Sequence, residues 1–191
     1  MARVEAKART DILAEHFSEL AWLWERREAM LFSPAFGPGA LAAHDRRMEG
    51  HVRGLVVAGE DAVPVLAAAI ESDDPATAAA AAYVLLRRGT LAGDRAVLRA
   101  LTGAEGARLD AIRRAVCMAP IDAIAPELGD LLATGPAPAA AAAAEALAFH
   151  GRLDAAAPRL ARLRADEDPA VRRAAWRAVA LSGAAPVAGG S

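Results

Sequence analysis

Apolar residues recur at helical spacing in the first sixty residues of the chain. One apolar stripe predicts a long amphipathic helix over residues 10–32, and a second predicts a helix over residues 39–58. Proline and glycine residues between positions 33 and 39 separate the two helices. We therefore expect residues 1–60 to form a helical hairpin that caps the rest of the chain. The two stripes consist of Leu13, Phe17, Leu20, Trp24 and Leu31, and of Leu41, Met48, Val52, Leu55 and Val56.

Beyond the hairpin, proline and glycine recur in a weak internal repeat. Three segments, 62–89, 123–151 and 155–183, carry a proline at the start of each half and a glycine at the end. The gap between the first two fits two periods of roughly 31 residues, so residues 94–120 are assigned to a degenerate fourth unit. Residues 61–183 are expected to form four stacked helical pairs, without any β-strand. The repeated positions are Pro64, Pro75 and Gly89; Pro126, Pro138 and Gly151; and Pro158, Pro169 and Gly183.

Acidic residues cluster at one point of the repeat, over residues 71–74 and 166–168. Asp74 and Asp168 each precede a proline, which is the pattern of an N-cap residue followed by proline at the first helical position. Carboxylates at that point also complement the helix macrodipole. The acidic clusters are therefore interpreted as helix caps rather than as catalytic or metal-binding groups.

Composition supports an all-α fold. Hydrophobic residues make up 55% of the chain, but alanine, the strongest helix former, alone accounts for more than a quarter. No apolar run reaches the roughly 18–20 residues that a membrane span needs, and the charged N-terminus lacks the pattern of a signal peptide. A lone Cys117 permits no internal disulfide. We therefore expect a cytoplasmic protein. Residues 184–191 are small and glycine-rich, and we expect them to form a disordered tail.

The last repeat resembles a known family. The sequence Asp-Pro-Ala-Val-Arg at 168–172, followed by alanines and Gly183, resembles the HEAT repeat. The resemblance implies an α-solenoid in which an Asp and an Arg form a ladder between neighbouring repeats. The first unit has Thr77 and Ala78 where the arginines would stand, and the third is expected to carry neither charge. Stacking is therefore expected to depend on packing of Leu, Val and Ala.

The N-terminal segment resembles an uncharacterised proteobacterial family of HEAT-like proteins, often encoded near type VI secretion components. The resemblance implies that a secretion component or its cargo is the protein partner. Family members usually have more repeats, so the last repeat is expected to lack a normal cap, which would permit homo-oligomers. The matching positions are Trp22-Leu23-Trp24, Asp45, Arg47, Met48, Glu49, His51, Gly54-Leu55 and Ala58-Gly59.

The residues most suited to chemistry have structural interpretations. His44 and His51 lie seven residues apart, which separates them by roughly 10 Å on a helix. That distance is too long for a shared metal ion, so both are expected at a helix–helix seam, whereas His16 is expected to be isolated. Cys117 is expected to be buried. No phosphate loop, zinc spacing or catalytic triad is found, so the chain is expected to be non-enzymatic and without a cofactor.

The candidate partner-binding residues combine tryptophan with arginine. Trp22 lies about 200° around its helix from Trp24, on the polar face. Trp176 lies among arginines in the last helix, where it either contacts a partner or forms stacking surface that a further repeat would cover. Tryptophan and arginine are enriched at binding hot spots. The predicted set is Trp22, Arg113, Arg114, Arg172, Arg173, Trp176 and Arg177.

Two functions remain open at this point. The first is a protein–protein interaction adaptor whose second helices line a concave surface. The alternative is a HEAT-like nucleic-acid-binding or DNA-repair protein that uses the arginines of these helices, with Trp176 as a stacking side chain. The net charge of −2 and the alanine-rich second helices of the first and third repeats argue against the alternative.

Overall fold

The computed structural model describes residues 2–155 and 157–183, and these residues form ten α-helices and one short 3₁₀ helix, with no strand. The all-α prediction is confirmed for this part of the chain. None of the described helices is long and apolar enough to cross a membrane. The predicted disordered tail, 184–191, lies outside the described residues. The helices are α1 (Ala2–Leu31), α2 (Pro38–Val57), the 3₁₀ helix (Gly59–Ala62), α3 (Val63–Ile70), α4 (Pro75–Arg88), α5 (Leu91–Gly103), α6 (Gly106–Met118), α7 (Ala125–Thr134), α8 (Ala137–Phe149), α9 (Pro158–Arg164) and α10 (Pro169–Leu181).

The first two helices pack against each other through the predicted apolar stripes. Helix α1 begins at Ala2, earlier than predicted, because the alanine-rich and charged residues before position 10 contain no helix breaker. Leu31 was predicted in the buried stripe, but it is exposed. It is the last residue of α1, beyond the part of the helix that the core covers. The buried stripe residues are Leu13, Phe17, Leu20 and Trp24 in α1, and Met48, Val52 and Leu55 in α2.

The predicted caps form as the sequence indicates. The Asp74 carboxylate accepts a hydrogen bond of 2.8 Å from the backbone N–H of Thr77, and Asp168 accepts one of 2.8 Å from that of Ala170. Gly89 ends α4 in the left-handed conformation, at φ 62°, which an L side chain rarely adopts. These caps fix where the second helix of the first and last pairs begins and where α4 ends.

The remaining helices lie in two rows. Row A consists of α3, α5, α7 and α9, and each of these helices contacts the next. Row B consists of α4, α6, α8 and α10, which also contact each other in succession, and each row A helix packs on the row B helix that follows it. Helices α1 and α2 both contact α4, the first helix of row B.

Row B packs closely because its buried residues are small. In α4, residues 78–82 are consecutive buried alanines, and in α8 eight of the ten buried residues are alanine. Small side chains allow neighbouring helix backbones to approach, and larger residues such as Leu128, Leu160 and Ile112 fill the space between the rows. The packing therefore has the predicted Leu, Val and Ala character.

Candidate functional site

One face of row B forms an open groove. The groove has a volume of about 800 Å³ and runs along the C-terminal halves of α6, α8 and α10, with the end of α1 as a wall. Four large apolar side chains on it are exposed: Phe32 (85%), Phe149 (55%), Leu181 (48%) and Leu31 (46%). Exposed apolar side chains grouped in one groove make it a candidate binding site.

A network of charged side chains crosses the floor of this groove. Arg113 of α6 donates to one carboxylate oxygen of Glu145 in α8. Arg177 of α10 donates to the other oxygen through Nε at 3.0 Å, and its Nη2 lies 2.9 Å from the same oxygen. Glu145 and Arg113 are buried, and buried charges are stable only when they are paired. The network therefore connects three neighbouring helices of row B.

The third unit lacks the Asp-Pro turn and the arginines of the HEAT ladder, but Glu145 places a different charge between α6 and α10. Arg113, Glu145 and Arg177 are spaced by 32 residues each, so they occupy the same position in successive repeats. Cys117, Phe149 and Leu181 follow at the next turn with the same spacing. The signal was present in the sequence as a position that alternates Arg, Glu, Arg. It was not predicted, because the expected ladder consists of Asp and Arg, and Glu145 is neither.

A second cavity, of about 410 Å³, continues the groove toward the N-terminal ends of the same helices. Asp110 and Arg113 line both cavities, so the two form one surface. Because α6, α8 and α10 each give N-terminal residues to this cavity and C-terminal residues to the groove, the three helices run in the same direction. The carboxylates of Glu105, Asp110 and Asp168 make this half acidic.

The predicted arginines lie in different places in the structure. Arg113, Arg114 and Arg177 line the groove, and Arg114 pairs with Glu28 of α1 at 2.9 Å. Arg113 is buried in its ion pair with Glu145, so little of its guanidinium is exposed, and its role in partner binding stays a prediction. Arg172 lies apart from the groove, where it donates to the backbone carbonyls of residues 166 and 167 at 2.7 and 2.8 Å.

The rest of the predicted set lies outside the groove. Arg173 and Trp176 are exposed on α10, and the guanidinium carbon of Arg164 lies 5.1 Å from the centroid of the Trp176 ring. Such a stacked arginine favours the ring position by a cation–π interaction. These residues therefore form a second surface, separate from the groove lining.

The two tryptophans of α1 have opposite surroundings, as predicted. Trp24 is 1% exposed and packs against Tyr83 of α4, with ring centroids 5.4 Å apart. Trp22 is 49% exposed, and the guanidinium carbons of Arg26 and Arg47 lie 5.7 and 6.0 Å from its ring centroid. Trp24 therefore belongs to the core, and Trp22 lies on the surface of the α1–α2 pair.

The histidines occupy the α1–α2 seam. His44 Nε2 lies 2.8 Å from the carbonyl oxygen of Leu23, and His51 Nδ1 lies 3.1 Å from Nδ1 of His16. The prediction that His16 is isolated is therefore wrong, because residues 35 positions apart meet across the seam. Burial, together with the neighbouring His16, lowers the pKa of His51. This position favours the neutral imidazole.

Cys117 is buried beneath the groove, as predicted, and its position does not favour nucleophilic chemistry. Burial raises the pKa of its thiol to about 11, although Arg113 acts in the opposite direction. The nucleophilic form of cysteine is the thiolate, which is scarce near neutral pH at this site. Among the described residues, no group of three or more His, Cys, Asp or Glu side chains could hold a metal ion.

Comparisons with known protein families, with curated proteins and with solved structures find no match to this chain. The interpretation of the groove therefore depends on its residues and their geometry.

Proposed function

We propose that α3–α10 form a HEAT-like α-solenoid and that the protein is a non-enzymatic interaction module which binds a protein partner in the row B groove. The observation that supports this most strongly is the patch of exposed apolar side chains, among them Phe32, Phe149 and Leu181, on a single groove. The four helix pairs, the succession of contacts within each row and the repeat spacing of 32 residues favour the solenoid.

The groove is suited to a helical segment. Ala81 and Leu85 of α4 hold the repeat positions that Arg113 and Cys117 hold in α6, and both are buried. Helix α1 packs on α4, so this part of row B is already covered by a helix of the same chain. The groove begins where α1 ends and continues along the next three helices of the row. A helix with an apolar face would cover it by the same kind of packing.

The resemblance of residues 1–60 to a secretion-linked family indicates which partners to test first. Components of a type VI secretion apparatus and their cargo proteins are the candidates that this resemblance favours. The nucleic-acid alternative has less support, because the guanidinium groups of Arg113, Arg114 and Arg177 each contact a carboxylate. A net charge of −2 adds no general attraction for phosphate.

The test is affinity capture from native lysate with the wild-type protein and two variants. Phe149→Glu places a charge in the groove, and Leu91→Glu places the same charge on an exposed apolar residue at the start of α5 in row A. We expect a partner that the wild type and Leu91→Glu capture and that Phe149→Glu loses. Direct binding of the purified partner must repeat this pattern. Equal capture by both variants would show that the groove is not the binding surface.

A further inference from the structure

We propose that the groove binds an amphipathic helix that has an apolar face followed by lysine or arginine residues at its C-terminal end. The proposal rests on the proposed function and specifies the chemistry of the partner. It follows from the division of one continuous surface into an apolar half and an acidic half.

The apolar half holds the hydrophobic face of the segment. Phe149 and Leu181 project from the last turn of α8 and of α10, and Phe32 projects from the end of α1. These three side chains are exposed, so covering them removes apolar surface from water. Because they come from three different helices, the surface they form is broad enough to contact one face of a helix.

The acidic half holds the basic residues. Glu105, Asp110 and Asp168 are exposed, and they line the cavity at the N-terminal ends of α6, α8 and α10. Glu105 makes no capping hydrogen bond, and Asp168 accepts one from Ala170. The only basic residue in this lining, Arg113, is already paired with Glu145. Asp110 lies 3.5 Å from Arg113, but it is more than half exposed. Four carboxylates, including Glu145, therefore share this single arginine, and the exposed ones can accept a further cationic group.

The helix dipoles reduce this negative charge without reversing it. Each helix N-terminus carries roughly half an elementary positive charge, so three helices offset about half of the three carboxylate charges. Lysine and arginine stabilise the last turn of a helix, because they complement the partial negative charge at its C-terminus. The basic end of the partner helix is therefore its C-terminal end, and because that end lies on the acidic half, the partner runs antiparallel to row B.

The length of the groove limits the length of the segment. Helices α6, α8 and α10 have 13 residues each. A helix of that length extends roughly 20 Å, which is about three and a half turns. The partner segment therefore carries its apolar residues in the first two turns and its basic residues in the last one or two.

The test uses a displayed library of random peptides of about 16 residues, selected on the full-length protein. We expect the enriched peptides to have apolar residues at helical spacing and lysine or arginine in their C-terminal third. Affinities of the enriched peptides are measured by fluorescence anisotropy at low and high salt. Phe149→Glu should abolish binding of these peptides, because it charges the apolar half.

The acidic half is tested with the triple variant Glu105→Gln, Asp110→Asn and Asp168→Asn. Asparagine keeps the N-cap of α10 while it removes the charge. We expect binding about tenfold weaker and less dependent on salt, since three exposed charge pairs are lost. The control removes three exposed carboxylates elsewhere, by Asp11→Asn, Asp73→Asn and Asp130→Asn, and should bind as the wild type does.

The outcomes separate the two proposals. If the enriched peptides require Phe149 but bind the triple variant as tightly as the wild type, the proposal of a basic C-terminal end is wrong. The groove then remains the binding site. Enrichment of peptides with acidic C-terminal ends would also contradict the proposed basic end. Peptides that bind Phe149→Glu as well as the wild type, or no enrichment at all, would overturn both proposals.

Discussion

Arg113 and Glu145 form an ion pair whose side chains are 9% and 7% exposed, although they lie 32 residues apart in the sequence. Because both side chains are buried, removing either one is destabilising, since the charge of the other side chain stays away from water. Arg177 also contacts Glu145, but its side chain is 41% exposed, so water stabilises its charge when the carboxylate is absent.

The first prediction concerns this network. Glu145→Ala should lower the free energy of unfolding by about 3 kcal/mol, because it leaves the buried Arg113 with only the largely exposed Asp110, 3.5 Å away, as an ion-pair partner. Arg177→Ala should cost about 1 kcal/mol or less, since a partly exposed pair contributes little. Denaturant unfolding of both variants measures the difference.

A double variant controls for the lost packing around Glu145. Arg113→Leu combined with Glu145→Leu removes both buried charges, and such replacements are often neutral. We therefore expect the double variant to be more stable than Glu145→Ala. If Glu145→Ala and Arg177→Ala cost the same, the buried pair does not determine the stability of row B.

The second prediction uses the two tryptophans of α1. Trp24→Ala should lower the free energy of unfolding by about 3–5 kcal/mol, because it opens a cavity against Tyr83. Trp22→Ala should change it by about 0.5 kcal/mol or less, since the side chain is half exposed. Thermal or denaturant unfolding measures both, and equal losses would contradict the assignment of Trp24 to the core.

The third prediction concerns pH. The pKa of His51 is lowered in the folded state, so the unfolded state binds more protons as the pH falls below about 6.5, the value for an exposed histidine. Stability from this site is therefore complete above that pH and decreases as the pH falls toward the lowered pKa. The charged and titratable groups that act on His51 are His16, Glu19 and Arg47.

We expect the wild type to lose more stability than His51→Gln between about pH 7.5 and pH 5.5. The measurement is the free energy of unfolding of both proteins at the two pH values, and the difference between them removes the contribution of other groups. A decrease of the same size in both proteins would show that the His16–His51 contact does not couple to folding.

The fourth prediction concerns the second surface, around Trp176. We expect it to contact another chain, either a partner or a second copy, and burial of such an anchor favours association by about 2 kcal/mol. Trp176→Ala should therefore weaken self-association in analytical ultracentrifugation or partner capture in a pull-down. If the variant folds normally and every association is unchanged, the ring has no role in binding.

Much of the fold could be predicted because local signals specify it. The Asp-Pro pairs at 74–75 and 168–169 and the left-handed Gly89 mark helix ends by geometry that depends on neighbouring residues only. The apolar stripes of α1 and α2 indicated the buried faces in the same way. The exception was Leu31, whose exposure depends on where the core ends, and this information is not local.

The site was harder to predict because it depends on contacts between repeats. The alanine run of α8 concealed Glu145, and its partner is known only once α6 and α8 are placed side by side. The contact between His16 and His51 likewise depends on the register of α1 against α2. A comparison of repeats position by position, at a spacing of 32 residues, would have found the charged position.

The alternation of Arg113, Glu145 and Arg177 makes the order of the repeats significant. If the segments that contain α8 and α10 were exchanged, two arginines would become neighbours at α6 and the carboxylate would move to the end of the row. The like charges would repel each other in a place with little water. The helix pairs are therefore not interchangeable modules, since the charge at this position specifies which pair follows which.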